Sequence, residues 1–361
     1  MEATRLWLEF AAASRGDVKG QALYRAGVVE DKAGRTSRAK ELYGQALEIH
    51  RRTGRRELEA DVLASLAGAQ ETLGRIQEAE GTYEAALALH RSEGTRRLEA
   101  MTLGNYAILQ KHLGRIEEAE RSLEAALAIF RQLRSRHYEG TTLGLLASLY
   151  RETGRPEAAE KGMKAALAIH RETGYIRGEA SCLSGLATLA MEAGRLEEAE
   201  EGFRRALDIL RGLGEWPGTG VVLGALANLH LKAGRFALAE ETYGRALAIH
   251  RESGRRRSEG IDLGNLAVLQ QDTGRLELAG KTYLLALSLH REVHNRRFEA
   301  IHECAYALLL LRLGQHGEAR ETWERGAGVL RELRDLDALA ATTATMRKAC
   351  AAAGVEGFST K

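Results

Sequence analysis

Proline, cysteine and aromatic residues are all scarce in this sequence of 361 residues. Only two prolines are present, so little in the chain interrupts long helices. Three cysteines, Cys182, Cys304 and Cys350, are odd in number and far apart, which excludes a disulfide framework and CxxC metal spacing. Aromatic residues make up 5% of the chain while alanine and leucine dominate, a composition that suits closely packed helices. A reducing, cytoplasmic compartment is the simplest expectation.

The sequence also lacks an excess of one charge and any long apolar run. Its 52 basic and 50 acidic residues leave a net charge of +2, which gives no electrostatic basis for nucleic-acid binding along the whole surface. No window approaches the roughly 18 apolar residues of a membrane span, and the N-terminus lacks the pattern of a signal peptide. The richness in arginine, glycine and alanine is typical of a GC-rich genome, so we expect a bacterial source.

What the chain does have is an internal period of 40 residues, along which it aligns with itself without a gap. One column holds glycine eight times: Gly34, Gly74, Gly114, Gly154, Gly194, Gly234, Gly274 and Gly314. Five residues later stands an alanine column: Ala39, Ala79, Ala119, Ala159, Ala199, Ala239, Ala279 and Ala319. Four residues further on stands a bulky column: Tyr43, Tyr83, Leu123, Met163, Phe203, Tyr243, Tyr283 and Trp323.

Within each row the apolar spacing is helical. In the third row Leu103 and Ala107 precede Gly114, and Ala119 and Leu123 follow it, so steps of four place each set on one helix face. Each repeat is therefore predicted as a helix A, a Gly-Arg turn, a helix B and a second turn. Glycine in the first turn fits a left-handed residue just past the end of helix A.

These columns resemble the tetratricopeptide repeat (TPR), in which small residues in both helices are followed by an aromatic. The 40-residue period resembles the long-repeat branch of Pins/LGN-type scaffolds and kinesin light chains, a likeness carried by the segments 103–107 and 263–267. The resemblance covers roughly residues 18–333. It implies an all-α, right-handed superhelical solenoid of about eight helical hairpins, with a concave wall of helices A that holds a peptide.

The predicted organisation has a cap at each end of the repeats. Residues 1–17 form an N-terminal capping helix, and residues 334–361 form a C-terminal capping helix and tail. The eight repeats between them are expected at 18–57, 58–97, 98–137, 138–177, 178–217, 218–257, 258–297 and 298–333.

The predicted partner-binding groove consists of helix A positions that vary between repeats while the packing columns stay the same. Residues that pack the repeats together must be alike in every repeat, whereas residues that bind a specific ligand must differ between repeats. The alternative is that this variation is ordinary sequence drift on an exposed face. The predicted groove residues are Asn105, Ile108, Lys111, Arg151, Thr188, Met191, Asn228, Leu231, Asn265, Val268 and Leu308. The family's clamp for acidic tails is not expected, because the corresponding column lacks its lysines.

Two further columns have both a structural and a functional interpretation. Glycines inside helix A, such as Gly104 and Gly264, indicate close approach either of a neighbouring helix or of a ligand backbone. Five histidines end helix B: His50, His90, His170, His250 and His290. Stacked helices lie roughly 10 Å apart, too far for one metal ion to bridge the column, so we expect buried packing and no metal site.

Arginine lines one edge of the predicted solenoid. Arg96, Arg97, Arg255, Arg256, Arg296 and Arg297 stand in the turns that follow helix B. Cations favour the C-terminal ends of helices, which is the structural interpretation. The functional alternative is a basic rim on which an acidic partner docks.

We therefore predict a protein-interaction scaffold or adaptor that binds a protein or peptide and has no cofactor. The alternatives are a sensor that responds to a peptide or small ligand, a self-assembling solenoid, and a recognition subunit of a larger complex. We expect no enzyme activity, since the sequence has no GxSxG, HExxH or GxGxxG motif and no phosphate loop. We expect no membrane partner, and the sequence leaves the oligomeric state open.

Overall fold

The computed structural model describes residues 2–214, 216–333 and 335–358, and for residues 216 and 217 it describes the backbone only. Within these ranges all regular structure is α-helical. The helices are α1 Glu2–Ala13, α2 Gly16–Lys32, α3 Thr36–Thr53, α4 Arg56–Thr72, α5 Ile76–Ser92, α6 Arg96–His112, α7 Ile116–Gln132, α8 Arg136–Glu152, α9 Pro156–Glu172, α10 Ile176–Glu192, α11 Leu196–Gly212, α12 Trp216–Lys232, α13 Phe236–Glu252, α14 Arg256–Asp272, α15 Leu276–Glu292, α16 Arg296–Arg312, α17 His316–Glu332 and α18 Leu336–Ala353.

Successive helices pair as the period predicts. The even-numbered helices α2 to α16 are the helices A, and each packs against the following helix B, α3 to α17. The all-helical class and the succession of paired repeats are therefore confirmed. Pro156 is the first residue of α9, where the missing amide hydrogen has no intrahelical acceptor to lose.

The turn after helix A is built on a left-handed residue. Gly114 has φ of +74°, and its amide donates to the carbonyl of Lys111 at 3.0 Å. The next amide, of Arg115, donates to the carbonyl of Gln110 at 2.9 Å, so the last carbonyls of α6 are satisfied. The second turn also contains a residue with positive φ. In two repeats this residue is not glycine but Arg134 or His294.

The columns that stay constant from repeat to repeat form the core. Ala107 on α6 and Ala119 on α7 are buried in one cluster with Leu123, and the same columns are buried in the other hairpins. Because both alanines are small, the two helices of a hairpin can approach closely. The bulky column is buried too, and it includes Trp323, the largest fully buried side chain among the described residues.

The chain divides into two compact units, Met1–Tyr175 and Ile176–Lys361, each treated by itself. In the first unit α1 packs on α2 and joins the first core cluster through Ala11 and Leu8. In the second unit α18 packs on α16 and α17, and Met346 and Cys350 complete the last cluster. The side chain of Asp335 caps α18 by accepting from the amide of Ala338. The capping function assigned to both terminal segments stays a prediction.

Candidate functional site

The residues predicted to bind a partner occupy three positions of helix A, spaced by three residues, and therefore share one helix face. In the first unit Asn105 is exposed, and the partly exposed members are Ile108 and Lys111 on α6 and Arg151 on α8. In the second unit all are partly exposed: Thr188, Met191, Asn228, Leu231, Asn265, Val268 and Leu308. Helices A of each unit thus present varied side chains that a ligand can reach.

Neighbouring helices A are tied together along this face. The ammonium of Lys111 on α6 donates to the carboxylate of Glu152 on α8 at 3.2 Å. In the second unit the ammonium of Lys232 on α12 donates to the backbone carbonyl of Met191 on α10 at 2.6 Å. These bonds hold adjacent helices in register, so part of each surface is ordered before any ligand binds.

The three asparagines of the predicted groove are not equivalent. The side-chain oxygen of Asn228 accepts a hydrogen bond from the hydroxyl of Tyr243, one of the buried bulky residues. Asn105 and Asn265 have no hydrogen-bonding partner in the described part of the chain, so their amides remain available to a ligand. The sequence does not show which asparagine is paired, because the pairing depends on the position of the Tyr243 hydroxyl in three dimensions.

The glycines inside helix A also differ between the two units. A Cβ on Gly224 would lie 2.5 Å from a carboxylate oxygen of Asp262, and one on Gly264 would collide with the ring of His302. Both intruding side chains come from the next helix A of the second unit, which confirms close approach of a neighbour there. At Gly104 in the first unit a Cβ would meet no atom within 4 Å.

The histidine column is buried, as the packing interpretation predicts. Its five rings are at most 3% exposed: His50, His90, His170, His250 and His290. Burial lowers the pKa of His290 to about 4, and burial likewise lowers the pKa values of His50, His90 and His170. No group of three or more side chains suited to a metal ion comes together in the described residues.

Two histidines of the column each lie against a polar side chain of the next helix A, a contact that was not predicted from the sequence. The Nε2 atom of His250 lies 3.3 Å from Oδ2 of Asp262, and Nε2 of His290 lies 2.9 Å from Nδ1 of His302. Burial raises the pKa of Asp262 against the opposing effect of His250. Burial, followed by the neighbouring His290, lowers the pKa of His302 to about 3.

In the first unit a cavity of about 90 Å³ opens at the junction of α2, α3 and α4. Seven residues line it: Gln21, Tyr24, Arg25, His50, Leu58, Asp61 and Val62. The hydroxyl of Tyr24 shares a hydrogen bond of 3.0 Å with Ser65 on α4, which fixes one wall. Of these residues only His50 was singled out from the sequence, because Gln21, Arg25 and Asp61 stand in columns that hold polar residues in other repeats as well.

Comparison with known proteins identifies the architecture. A tetratricopeptide repeat model matches residues 19–92, 98–172 and 179–252, more than half of the chain, and a second one matches residues 302–325. The chain belongs to the tetratricopeptide repeat family. The hairpin that these models leave unmatched, formed by α14 and α15, has the same helix lengths and left-handed turns as the others.

Several solved TPR structures are similar to this TPR chain. A Rap protein complexed with Competence and Sporulation Factor is 13% identical, covers 93% of this chain and 99% of its own, and has a TM-score of 0.62. The Rap conjugation gene regulator of plasmid pLS20, in complex with the Phr* peptide, is 16% identical over 67% and 65%, with a TM-score of 0.55. Kinesin-light-chain-like repeats of Podosopora anserina are 22% identical over 54% and 95%, with a TM-score of 0.42. No curated protein sequence matches significantly.

The basic rim of the TPR hairpins is less positive than the arginines alone predict. Four rim arginines form ion pairs: Arg96 with Glu99, Arg256 with Glu259 and Glu292, Arg296 with Glu332 and Arg297 with Asp335. Arg97 and Arg255 have no ion pair within 4 Å in the described part of the chain. These partners could not be foreseen from the sequence, because the carboxylates belong to first turns of helix A and to ends of neighbouring hairpins.

Two remaining features bear on chemistry and on membranes. Burial raises the pKa values of the Cys182 and Cys304 thiols to about 12, so both stay protonated and are poor nucleophiles. Across the described ranges, no helix combines the length and the apolar character needed to cross a bilayer.

Proposed function

We propose that this TPR chain is a protein-interaction module that binds a peptide, or an extended segment of a partner protein, along its helices A. The observation that carries the proposal is the contrast between the buried, constant packing columns and the accessible, varied stripe on helices A. Apolar groups such as Ile108 and Val268 supply contact area, while the unpaired amides of Asn105 and Asn265 supply donors and acceptors for a peptide backbone.

The similar Rap structures support a peptide as the ligand class, since one of them is in complex with the Phr* peptide. They also support the alternative of a peptide-responsive sensor, because that relative is a conjugation gene regulator. The two functions differ in their consequence. An adaptor keeps its dimensions when it binds, whereas a sensor changes them, which small-angle scattering with and without a bound peptide would show.

The test begins with peptides selected from a library of short random sequences displayed on phage, with the full chain as bait. The affinity of a selected peptide is then measured for the wild type and for the double variant Asn105→Ala, Asn265→Ala. We expect binding to weaken about fivefold, because a peptide bound on either unit loses one hydrogen bond, which contributes about 1 kcal/mol.

The matched control is the double variant Gln45→Ala, Glu241→Ala, which changes one exposed side chain of a helix B in each unit. The control variant should bind as the wild type does. Equal binding by both double variants would contradict a site on helices A. If that binding also fell steeply with added salt, the ligand would be an acidic one docked on the basic rim. A library that yields no peptide for the wild type would contradict peptide binding altogether.

A further inference from the structure

The cavity of the first unit lies at a junction of three helices, and the second unit fills the corresponding junction with a side chain. With the 40-residue period, Tyr24, His50 and Val62 align with Gly224, His250 and Asp262. All three members of the first set line the cavity. The two places are therefore the same position of the repeat, formed by a helix A, its helix B and the next helix A.

In the second unit the chain fills this position with its own polar group. The Asp262 carboxylate lies against Gly224, where a Cβ would stand 2.5 Å from its Oδ1, and its Oδ2 is 3.3 Å from Nε2 of His250. The next junction repeats the arrangement, with His302 against Gly264 and 2.9 Å from Nε2 of His290. A polar group thus meets the helix B histidine at both places.

The first junction lacks such a group. Val62 takes the position of Asp262 and has no polar atom to offer. The imidazole of His50 is 1% exposed and lines the cavity, and the nearest carboxylate oxygen, on Asp17, is 3.8 Å from its Nδ1 atom. That Nδ1 atom has no hydrogen-bonding partner, and neither has Nδ1 of His250 at the filled junction, so the two junctions differ in the space beside the ring. The cavity therefore leaves room for a polar group that the chain itself supplies at the later junction.

Three other polar residues line the cavity where the later junction is apolar. Gln21, Arg25 and Asp61 align with Val221, Ala225 and Ile261. Packing of the hairpins is thus possible without polar groups at these columns. None of the three has a hydrogen-bonding partner in the described part of the chain, so all three can turn to a ligand.

The charges around the cavity select the kind of ligand. Arg25 and Asp61 contribute one charge of each sign, and burial, assisted by Glu57, raises the pKa of Asp61 to about 6 while Arg25 and Arg97 act against that rise. A charged ligand group would meet a like charge at short range whichever sign it carried. A neutral group that both donates and accepts hydrogen bonds satisfies both residues. The amide has this property and fits a cavity that holds several water molecules.

We propose that this cavity binds a neutral amide, presented as the side chain of an asparagine or glutamine in a peptide that lies along helices A of the first unit. The amide oxygen accepts from the guanidinium of Arg25, and the amide nitrogen donates to the carboxylate of Asp61. Gln21 supplies a further donor and acceptor at the rim. This assignment rests on the proposed peptide-binding function, but the cavity can be tested without a peptide.

The direct test uses propanamide as the probe, with propanoate and propylammonium at the same concentration as comparisons. Backbone amide resonances of α2 and α4 in the full chain report on the cavity. Propanamide should shift the resonances near Gln21, Arg25 and Asp61 more than the two ions do. A larger shift with either ion, or no shift with any probe, would overturn the assignment while leaving peptide binding elsewhere on helices A intact.

The second test repeats the peptide selection with a variant that carries the residues of the later junction: Gln21→Val, Arg25→Ala, Asp61→Ile. Because the chain itself uses these residues at α12–α14, the variant should fold, which thermal unfolding checks. Peptides selected by the wild type should share an asparagine or glutamine at one position, and that preference should vanish with the variant. The proposal would be contradicted if both selections gave the same preference. It would also be contradicted if the peptides selected by the wild type shared no asparagine or glutamine.

Discussion

Single positions of the repeat carry different chemistry in different hairpins. The glycine column within helix A is the clearest example, because the surroundings of each glycine decide its effect on stability. A glycine inside a helix costs about 1 kcal/mol relative to alanine. At Gly264 the ring of His302 occupies the space that a side chain would need, whereas at Gly104 that space is open.

Replacement of these two glycines by alanine should therefore act in opposite directions. Gly104→Ala is expected to raise the free energy of unfolding by roughly 0.5–1 kcal/mol, because it gains helix propensity without a clash. Gly264→Ala is expected to lower it by roughly 1–3 kcal/mol, because the buried His302 cannot move without losing its bond to His290. Urea unfolding followed by circular dichroism measures both changes. Effects of the same sign would contradict the described surroundings.

Between adjacent elements, buried titratable groups make some junctions sensitive to acid. The rings of His290 on α15 and His302 on α16 are stacked with centroids 5.1 Å apart and share a hydrogen bond of 2.9 Å. One ring nitrogen must accept in this bond, so the two rings cannot both be protonated while the junction is intact. Asn295 and Arg257 are the other polar groups that act on His290, and Arg257 opposes its protonation.

The junction of α15 and α16 should consequently weaken in mild acid. The unfolded chain protonates both histidines near their ordinary pKa of about 6.5, whereas the folded chain holds the pKa values at about 4 and about 3. The folded values are depressed, so stability is fully present above about pH 6.5 and is lost as the pH falls toward 4. Between pH 7.5 and pH 5 the two sites together should lower the free energy of unfolding by roughly 4 kcal/mol.

Urea unfolding at these two pH values measures the effect. The variant His290→Leu, His302→Val copies the apolar pair Leu210 and Val222 of the α11–α12 junction. The free energy of unfolding of this variant should lose most of the pH dependence that His290 and His302 contribute. An equal pH dependence in the variant and the wild type would assign it to other groups.

Within each unit, packing is between near neighbours. Each helix contacts the next one in sequence, and each helix A also contacts the next helix A, as expected when stacked repeats share a continuous core. We therefore expect the ends to need protection, and in the second unit Met346 and Cys350 of α18 are buried in one cluster with Trp323 and Leu330.

Removal of residues 335–361 should therefore destabilise the chain locally. Amide hydrogen exchange, followed by mass spectrometry, should accelerate in α16 and α17, while protection in α2 to α9 stays unchanged. Removal of residues 1–13 is the matched comparison, and it should accelerate exchange in α2 and α3 instead. Uniform acceleration along the chain after either truncation would show one cooperative unit and contradict nearest-neighbour stability.

The sequence by itself determined the family, the pairing of helices, the left-handed turns and the buried columns. It could do so because packing repeats with the period: the alanine at Ala119 and the glycine at Gly114 have the same surroundings in every hairpin, so their columns are constant. The accessible face of helices A also followed from the sequence, since its members stand three residues apart and vary. The ligand for that face remains a proposal.

Only the tertiary structure decided which side chains meet between hairpins. The bond of Tyr243 to Asn228, the pairing of Arg256 with Glu292 and the contact of His290 with His302 depend on distances between residues of different helices. The cavity beside His50 lies where Tyr24 and Val62 replace the glycine and the carboxylate of a later hairpin. A column alignment shows the substitution, but whether space remains is a matter of three-dimensional packing, and the sequence does not record it.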